Sequence, residues 1–214
     1  MGLFTSQGCD FPFPGTPESK SFDYASQKVA IIGGGTNTGK LAIQLAKLAG
    51  IGTIITTASL SGAEELKSYG ATHVISRQAS DIEKQVRDIV GDELLYVYDT
   101  FNADATLALS LLSNSKKGTL VQLVGYGADE SLIAQKKAGV NVKRVVGFSH
   151  GVPEFGEMLW KQLPGLLESG KLKPANYKII EGLDVDKVNA ALDEYRDGKG
   201  GDRYHVRIQQ SGNL

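Results

Sequence analysis

The stretch best suited to chemistry is Gly33-Gly34-Gly35-Thr36-Asn37-Thr38-Gly39. It joins an apolar run, Val29-Ala30-Ile31-Ile32, to an amphipathic one, Lys40-Leu41-Ala42-Ile43-Gln44-Leu45-Ala46-Lys47. Glycine lets backbone N–H groups approach an anion closely, and a helix starting at such a turn adds partial positive charge at its N-terminus. The chemistry this suggests is a grip on a pyrophosphate, with Gly34, Gly35, Thr36, Asn37, Thr38 and Gly39 as candidate contacts. The spacing departs from G-x-G-x-x-G because Thr36 stands at the middle position. A tight strand–helix turn with no ligand is the competing reading of the glycines alone. The turn is not a P-loop: Gly39-Lys40 lacks both the four-residue spacing from a glycine and the following Ser or Thr.

A second constellation follows the next apolar run. Dinucleotide sites that take NAD place an acid there for the ribose hydroxyls. Here the chain continues Thr56-Thr57-Ala58-Ser59-Leu60-Ser61-Gly62, with no carboxylate before Glu64. Without the acid, repulsion toward a 2′-phosphate disappears. Ser59 and Ser61 can donate hydrogen bonds to one, and Arg77 can supply charge and a bidentate grip. The residues therefore favour NADP(H), while helix capping by the serines stays open beside it. A reading from another class rests on Gly147-Phe148-Ser149-His150-Gly151, a G-x-S-x-G pattern with Asp202 and His205 following in hydrolase order. Ser149 would then be a nucleophile and Gly33-Gly34-Gly35 an oxyanion loop. Pro153 speaks against it, because it delays a helix that should begin almost at the serine.

The elements that must hold these residues alternate between two periods. Strands are expected at Val29–Ile32, Thr53–Thr57, His73–Ser76, Leu94–Tyr98, Thr119–Val124 and Val142–Gly147. Helices are expected near Thr38–Ala49, Ala63–Tyr69, Asp81–Val90, Ala103–Leu112 and Glu130–Ala138. In the third helix Ile82, Val86, Ile89 and Val90 should face inward, with Glu83, Lys84, Arg87 and Asp88 outward. Strands and helices alternating in this way predict an α/β Rossmann fold, a doubly wound six-stranded parallel sheet in the order 3-2-1-4-5-6. A long helix, Phe155–Ser169, follows and should be interrupted at Pro164. The tail, with a strand at Tyr177–Ile180, a helix at Asp184–Arg196 and a strand at Tyr204–Ile208, predicts a small strand-helix-strand annex. The expected organisation is an extended arm over residues 1–27, the dinucleotide domain over 28–175 and the annex over 176–214.

Composition narrows the classes. The 214 residues carry a net charge of −1 with basic residues dispersed, so neither nucleic acid nor an anionic membrane is an expected partner. The chain starts without a basic, then apolar leader, and a cytoplasmic location is the expectation. Cys9 is the single cysteine, so no disulfide framework or thiolate zinc site can be built within one chain. It is expected to be inert, in a loose N-terminal segment. His73 and His205 fall in strands and are expected to be structural. Trp160 is expected in a core or interface, and Lys143 and Arg144 as charges guarding an edge strand.

Ala42-Ile43-Gln44-Leu45-Ala46-Lys47-Leu48-Ala49-Gly50 and Leu66-Lys67-Ser68-Tyr69-Gly70-Ala71-Thr72-His73-Val74-Ile75 resemble the cofactor half of medium-chain dehydrogenases/reductases. The closest branch is that of quinone reductases and fungal enoyl reductases, often labelled zinc-binding-dehydrogenase-like. The Gly33–Gly39 turn is similar to the Gly-Gly-x-Thr-x-Thr-Gly pattern of the fungal branch, and the likeness runs from about Gly15 to Ile208. It implies an ancestral hydride transfer from NADPH to an enoyl, enone or quinone acceptor. It also implies that Asp99-Thr100-Phe101, Val124-Gly125-Tyr126 and Gly147-Phe148-Ser149 line the nicotinamide end, with Thr100, Gly125, Tyr126 and Phe148 as the contacts. Relatives begin with a GroES-like barrel that holds much of the substrate pocket and any catalytic zinc. This chain is expected to lack that barrel, to hold no zinc, and to end in a segment that in relatives returns to it. Active reductase and non-catalytic NADP(H)-binding module or remnant both remain open. So do a homodimer through the edge strand and a separate catalytic-domain partner.

Overall fold

A computed structural model describes residues 1–125, 130–197 and 203–208. The apolar runs form β1 (Lys28–Ile32), β2 (Thr53–Ala58), β3 (His73–Ser76), β4 (Tyr96–Asp99), β5 (Gly118–Gln122) and β6 (Val140–Arg144). All pair in parallel in the order β3-β2-β1-β4-β5-β6, the expected doubly wound arrangement. Between them run α1 (Asn37–Ala49), α2 (Ala63–Tyr69), α3 (Ile82–Val90), α4 (Thr106–Leu111) and α5 (Glu130–Gln135), and α6 (Pro153–Glu168) follows β6.

Side chains alternate across a strand, so a central parallel strand must be apolar on both faces. In β1, Val29 and Ile31 enter one core with Ile43, Ala46 and Leu66. Ala30 and Ile32 enter the opposite core with Val86, Val90, Leu109 and Leu120. α1 begins at Thr36, whose hydroxyl accepts from the Gly39 N–H, and ends at Gly50 in the left-handed region (φ 89°). In its middle, buried Gln44 makes a two-way bond to Lys173, accepting from its N–H at 2.7 Å and donating to its carbonyl at 3.1 Å.

Several expectations are corrected here. The N-terminal segment is not loose: Leu3, Phe4, Cys9, Phe11 and Phe13 are buried in the first core. Phe11 stands edge-on to Tyr96 with ring centroids 4.6 Å apart, and Phe13 meets Phe155 at 5.4 Å. Burial pushes the Cys9 thiol up to about 12, which keeps it protonated and unreactive. Lys143 does not guard an edge, because its ammonium donates to the carbonyls of Ser6 and Gly8 and ties the N-terminal segment to β6. Arg87 does not face water. Its guanidinium donates to the Ser110 and Leu112 carbonyls at the end of α4 and to Asp92. α6 is continuous through Pro164, at the cost of the one helical hydrogen bond a proline cannot donate. Trp160 on that helix is 59% exposed, which corrects the core alternative and not the interface one.

Residues Met1–Lys173 form one compact unit and Pro174–Leu214 a second. The second holds β7 (Tyr177–Glu181), α7 (Val185–Arg196) and β8 (Arg203–Arg207), with β7 and β8 paired in parallel. Asp184 caps α7 by accepting from the N–H groups of Asp186 and Lys187. Among its described residues Ile180 and Ala191 are the buried apolar ones, while Leu183, Val185 and Leu192 are exposed.

Candidate functional site

β1 and β4 are neighbours in space, but the chain leaves β1 for β2 on one side and reaches β4 only after β3. That makes the carboxyl edge between them the switch point of the sheet, the place where open sheets of this kind bind their ligands. The glycine turn sits on this edge. Gly33 takes φ +82°, the Gly33 N–H donates to the Thr57 hydroxyl, and the Gly34 N–H donates to the Thr57 carbonyl. A Cβ on Gly34 would lie 2.0 Å from the Thr56 hydroxyl oxygen, and one on Gly39 would lie 2.3 Å from the Gly33 carbonyl oxygen. Close packing requires glycine at both positions. Gly35 differs, since it is exposed and a Cβ there would meet nothing within 4 Å.

The threonine that breaks the glycine pattern has a task of its own. The Gly39 N–H donates to Thr36 Oγ1 at 2.9 Å, Thr36 Oγ1 lies 3.1 Å from Thr100 Oγ1, and Thr100 Oγ1 donates to the Ile32 carbonyl at 2.8 Å. With the Thr100 proton committed to Ile32, the Thr36 hydroxyl is the donor in the middle bond. This relay ties the helix start to the end of β4. Gly39 is served by its cap and Lys40 by the Thr36 carbonyl, which leaves the N–H groups of Gly35, Asn37 and Thr38 without a protein partner among the described residues.

Ser59 and Ser61 lie on the same edge, beyond β2, with their hydroxyl oxygens 2.9 Å apart. Neither caps a helix: Ser59 makes no side-chain cap bond to the 3₁₀ turn Leu60–Gly62, and Gly62 precedes α2 without a side-chain cap. The Arg77 backbone N–H donates to the Ala58 carbonyl, which sets this residue beside the serine turn. Its side chain is exposed and has no ion-pair partner among the described residues.

At the end of β4, Thr100 is buried within the relay and Phe101 is 60% exposed. Asp99, which the resemblance sets among the lining residues, holds them in place, a role that sequence reasoning did not give it. Asp99 is fully buried, and its carboxylate accepts from the N–H groups of Phe101 and Asn102 and from the Asn102 amide. Burial pushes its carboxyl above the ordinary range, against the pull of those hydrogen bonds. Its signal was legible in principle, as a lone acid closing the apolar strand Tyr96–Tyr98. Gly125 is buried beyond β5, and a Cβ there would lie 2.2 Å from the Gln122 amide nitrogen, which has no hydrogen-bond partner among the described residues. Phe148 is 53% exposed beyond β6. Tyr126 lies outside the described residues.

The Ser149 hydrolase geometry is not formed. Ser149 opens a 3₁₀ turn separated from the end of β6 at Arg144, and α6 starts only at Pro153. A nucleophile elbow needs a sharp, strained turn straight from strand to helix. Among the described residues Asp10 is the non-glycine residue with positive φ, not Ser149. Asp202 lies outside the described residues, and His205 stacks on Tyr177 at 4.8 Å.

The family model for zinc-binding dehydrogenases matches residues 38–163, more than half of the sequence. The chain belongs to the zinc-binding dehydrogenase family. Within it, the chain is 29% identical over 213 residues to the trans-enoyl reductase himH of Aspergillus japonicus, covering 94% of this chain and 57% of that one. It is 28% identical over 207 residues to the trans-enoyl reductase mpsG of Macrophomina phaseolina, covering 87% and 56%. The crystal structure of Escherichia coli quinone oxidoreductase complexed with NADPH shares its fold, with a TM-score of 0.68 at 19% identity over 84% of this chain and 56% of that chain. This member of the family spans about half the length of most curated relatives it matches, and a quarter of one. Among the described residues no group of three or more His, Cys, Asp or Glu side chains could hold a metal ion. Nor is any described helix long and apolar enough to cross a membrane.

Proposed function

We propose that this chain is an NADP(H)-binding domain of a reductase that delivers hydride to an enoyl, enone or quinone acceptor. The observation that carries the reading is the free set of N–H groups on Gly35, Asn37 and Thr38, at the start of α1 and at the switch point of the sheet. Those groups suit a pyrophosphate, and Gly35 leaves room for it. Support for the phosphorylated dinucleotide comes from the adjoining turn, where Ser59 and Ser61 replace an acid and Arg77 stands exposed and unpaired among the described residues. Beyond β4, β5 and β6, Thr100, Gly125 and Phe148 are assigned to the nicotinamide end. The bound cofactor would supply the hydride, and the chain's own residues would bind and orient it. The acceptor class follows from the names of the relatives, trans-enoyl reductases and a quinone oxidoreductase.

Calorimetric titration with NADPH and NADH tests this. The expected result is NADPH binding in the micromolar range, clearly weaker NADH binding, and a loss of about tenfold or more in NADPH affinity for Arg77→Ala. Absence of binding by either nucleotide overturns the reading. Oxidation of NADPH in the presence of an enone or quinone separates an active reductase from a domain that only binds.

A further inference from the structure

The serine turn is followed at once by two acids, Glu64 and Glu65. Carboxylates there should repel a 2′-phosphate, so the NADP(H) reading, on which this inference rests, requires that their charge be cancelled. Glu64 is 88% exposed and pairs loosely with Lys67, and solvent screens it. Glu65 is more enclosed. One of its oxygens lies 2.8 Å from Lys40 Nζ and the other accepts from the Tyr69 hydroxyl at 3.0 Å, with the Lys40 and Glu65 side chains 22% and 35% exposed. The position matters as much as the contact. Lys40 follows Gly39 in the first turn of α1, and Glu65 lies in the first turn of α2 beyond the serines. β1 and β2 are paired, with Ile32 beside Thr57, so the two helix starts are neighbours. The ion pair therefore spans the gap between the candidate pyrophosphate turn and the candidate ribose turn.

We propose that Lys40 is a specificity-determining residue that acts by neutralising Glu65, so that the ribose end of the groove tolerates a phosphate dianion. Lys40 does not itself need to touch the phosphate. The effect is electrostatic, it discriminates between ligands that differ only in that phosphate, and it falls as salt rises.

Binding of NADPH and NADH to the full chain is measured by calorimetry for Lys40→Met, Glu65→Gln and the double variant, at low and at high salt, with thermal melts as the check on folding. Lys40→Met is expected to weaken NADPH by roughly tenfold while NADH changes by less than about threefold. Glu65→Gln is expected to tighten NADPH, because it leaves an uncompensated cation. The double variant should return to within about threefold of the parent, since no charge is left to cancel. If the double variant stays as weak as Lys40→Met, Lys40 contacts the phosphate directly and the proposal is overturned. Equal changes for NADPH and NADH in the single variants also overturn it, as a purely structural ion pair would act that way. A parent chain that binds neither nucleotide refutes the cofactor reading itself, whereas a parent that prefers NADPH with a ratio none of the variants moves refutes this inference alone.

Discussion

Two glycines of the same turn have opposite physical roles, and substitution separates them. A Cβ on Gly39 would sit 2.3 Å from the Gly33 carbonyl oxygen and 2.7 Å from the Gly34 Cα, so α1 could not stay against the turn. Gly39→Ala should lower stability by about 1–3 kcal/mol, as overpacking does, in urea unfolding followed by circular dichroism. Gly35→Ala has open space around the new methyl, and its unfolding curve should move by no more than about 0.5 kcal/mol. If Gly35 faces the pyrophosphate, that same variant should lose about tenfold or more in NADPH affinity. Undiminished binding by a folded Gly35→Ala would remove Gly35 from the site. Thr36 belongs to this scale as well, for its hydroxyl caps α1 and holds Thr100, two tasks a glycine could not perform.

Among the elements, the far end of α4 is as strongly specified as the glycine turn. Its last carbonyls are met by two cations. Arg87 from α3 donates to Ser110 and Leu112, and Lys136, just past α5, donates to Leu112 and to the Asn114 side chain. Burial, then the neighbouring Arg87 charge, holds the Lys136 ammonium below its usual range. Asp92 balances the cluster, accepting from Arg87, from the Ser113 and Ser115 hydroxyls and from the N–H groups of Asn114 and Ser115. The Ser115 hydroxyl, then the Asn114 N–H, hold its carboxyl well below the ordinary carboxylate range. A carboxyl depressed in the folded state contributes stability that is present above its unfolded value, near 4. That contribution is lost as pH falls toward the folded value. Because the Asp92 side chain is 37% exposed and solvent screens part of its interactions, Asp92→Asn should cost only about 1 kcal/mol at pH 7 and flatten the acid limb of the stability profile below about pH 4. Equal losses at pH 7 and pH 3 would mean that the charge contributes nothing.

At the scale of the whole molecule, the segment before β1 is part of the first core. Phe11 is 2% exposed, packed on Tyr96 and Phe22, while Tyr24 donates its hydroxyl proton to the Pro12 carbonyl and Lys143 grips Ser6 and Gly8. Phe11→Ala should lower unfolding free energy by about 3 kcal/mol, within the range for a fully buried aromatic. A loosely attached arm would instead leave the urea midpoint unchanged. The unit from Pro174 onward contrasts with this, as its described residues, a parallel strand pair and one helix, leave Leu183, Val185 and Leu192 exposed. Two strands with a single helix enclose too little volume to bury an apolar face of their own.

The strand order was legible because the central strands are largely apolar on both faces and a helical segment lies between each strand and the next, which leaves few ways to wind a sheet. The turn at Gly33–Gly39 could be located for a similarly local reason, since a glycine cluster between a β-branched run and a 3.6-period run has few conformations to choose from. Relations between residues far apart in sequence were hidden. Nothing local says that Thr36 bonds Thr100, that Lys40 is held by Glu65, or that Arg87 leaves its helix's polar face for the end of α4. The N-terminal segment misled for the opposite reason. Its prolines give it no regular period, yet its aromatic side chains are placed by what they pack against, not by their neighbours in the chain. Periodicity and turn chemistry act over a few residues and can be read from sequence. Burial, charge pairing and the sharing of one hydrogen-bond acceptor between elements depend on which strands end up adjacent, and only the folded chain decides that.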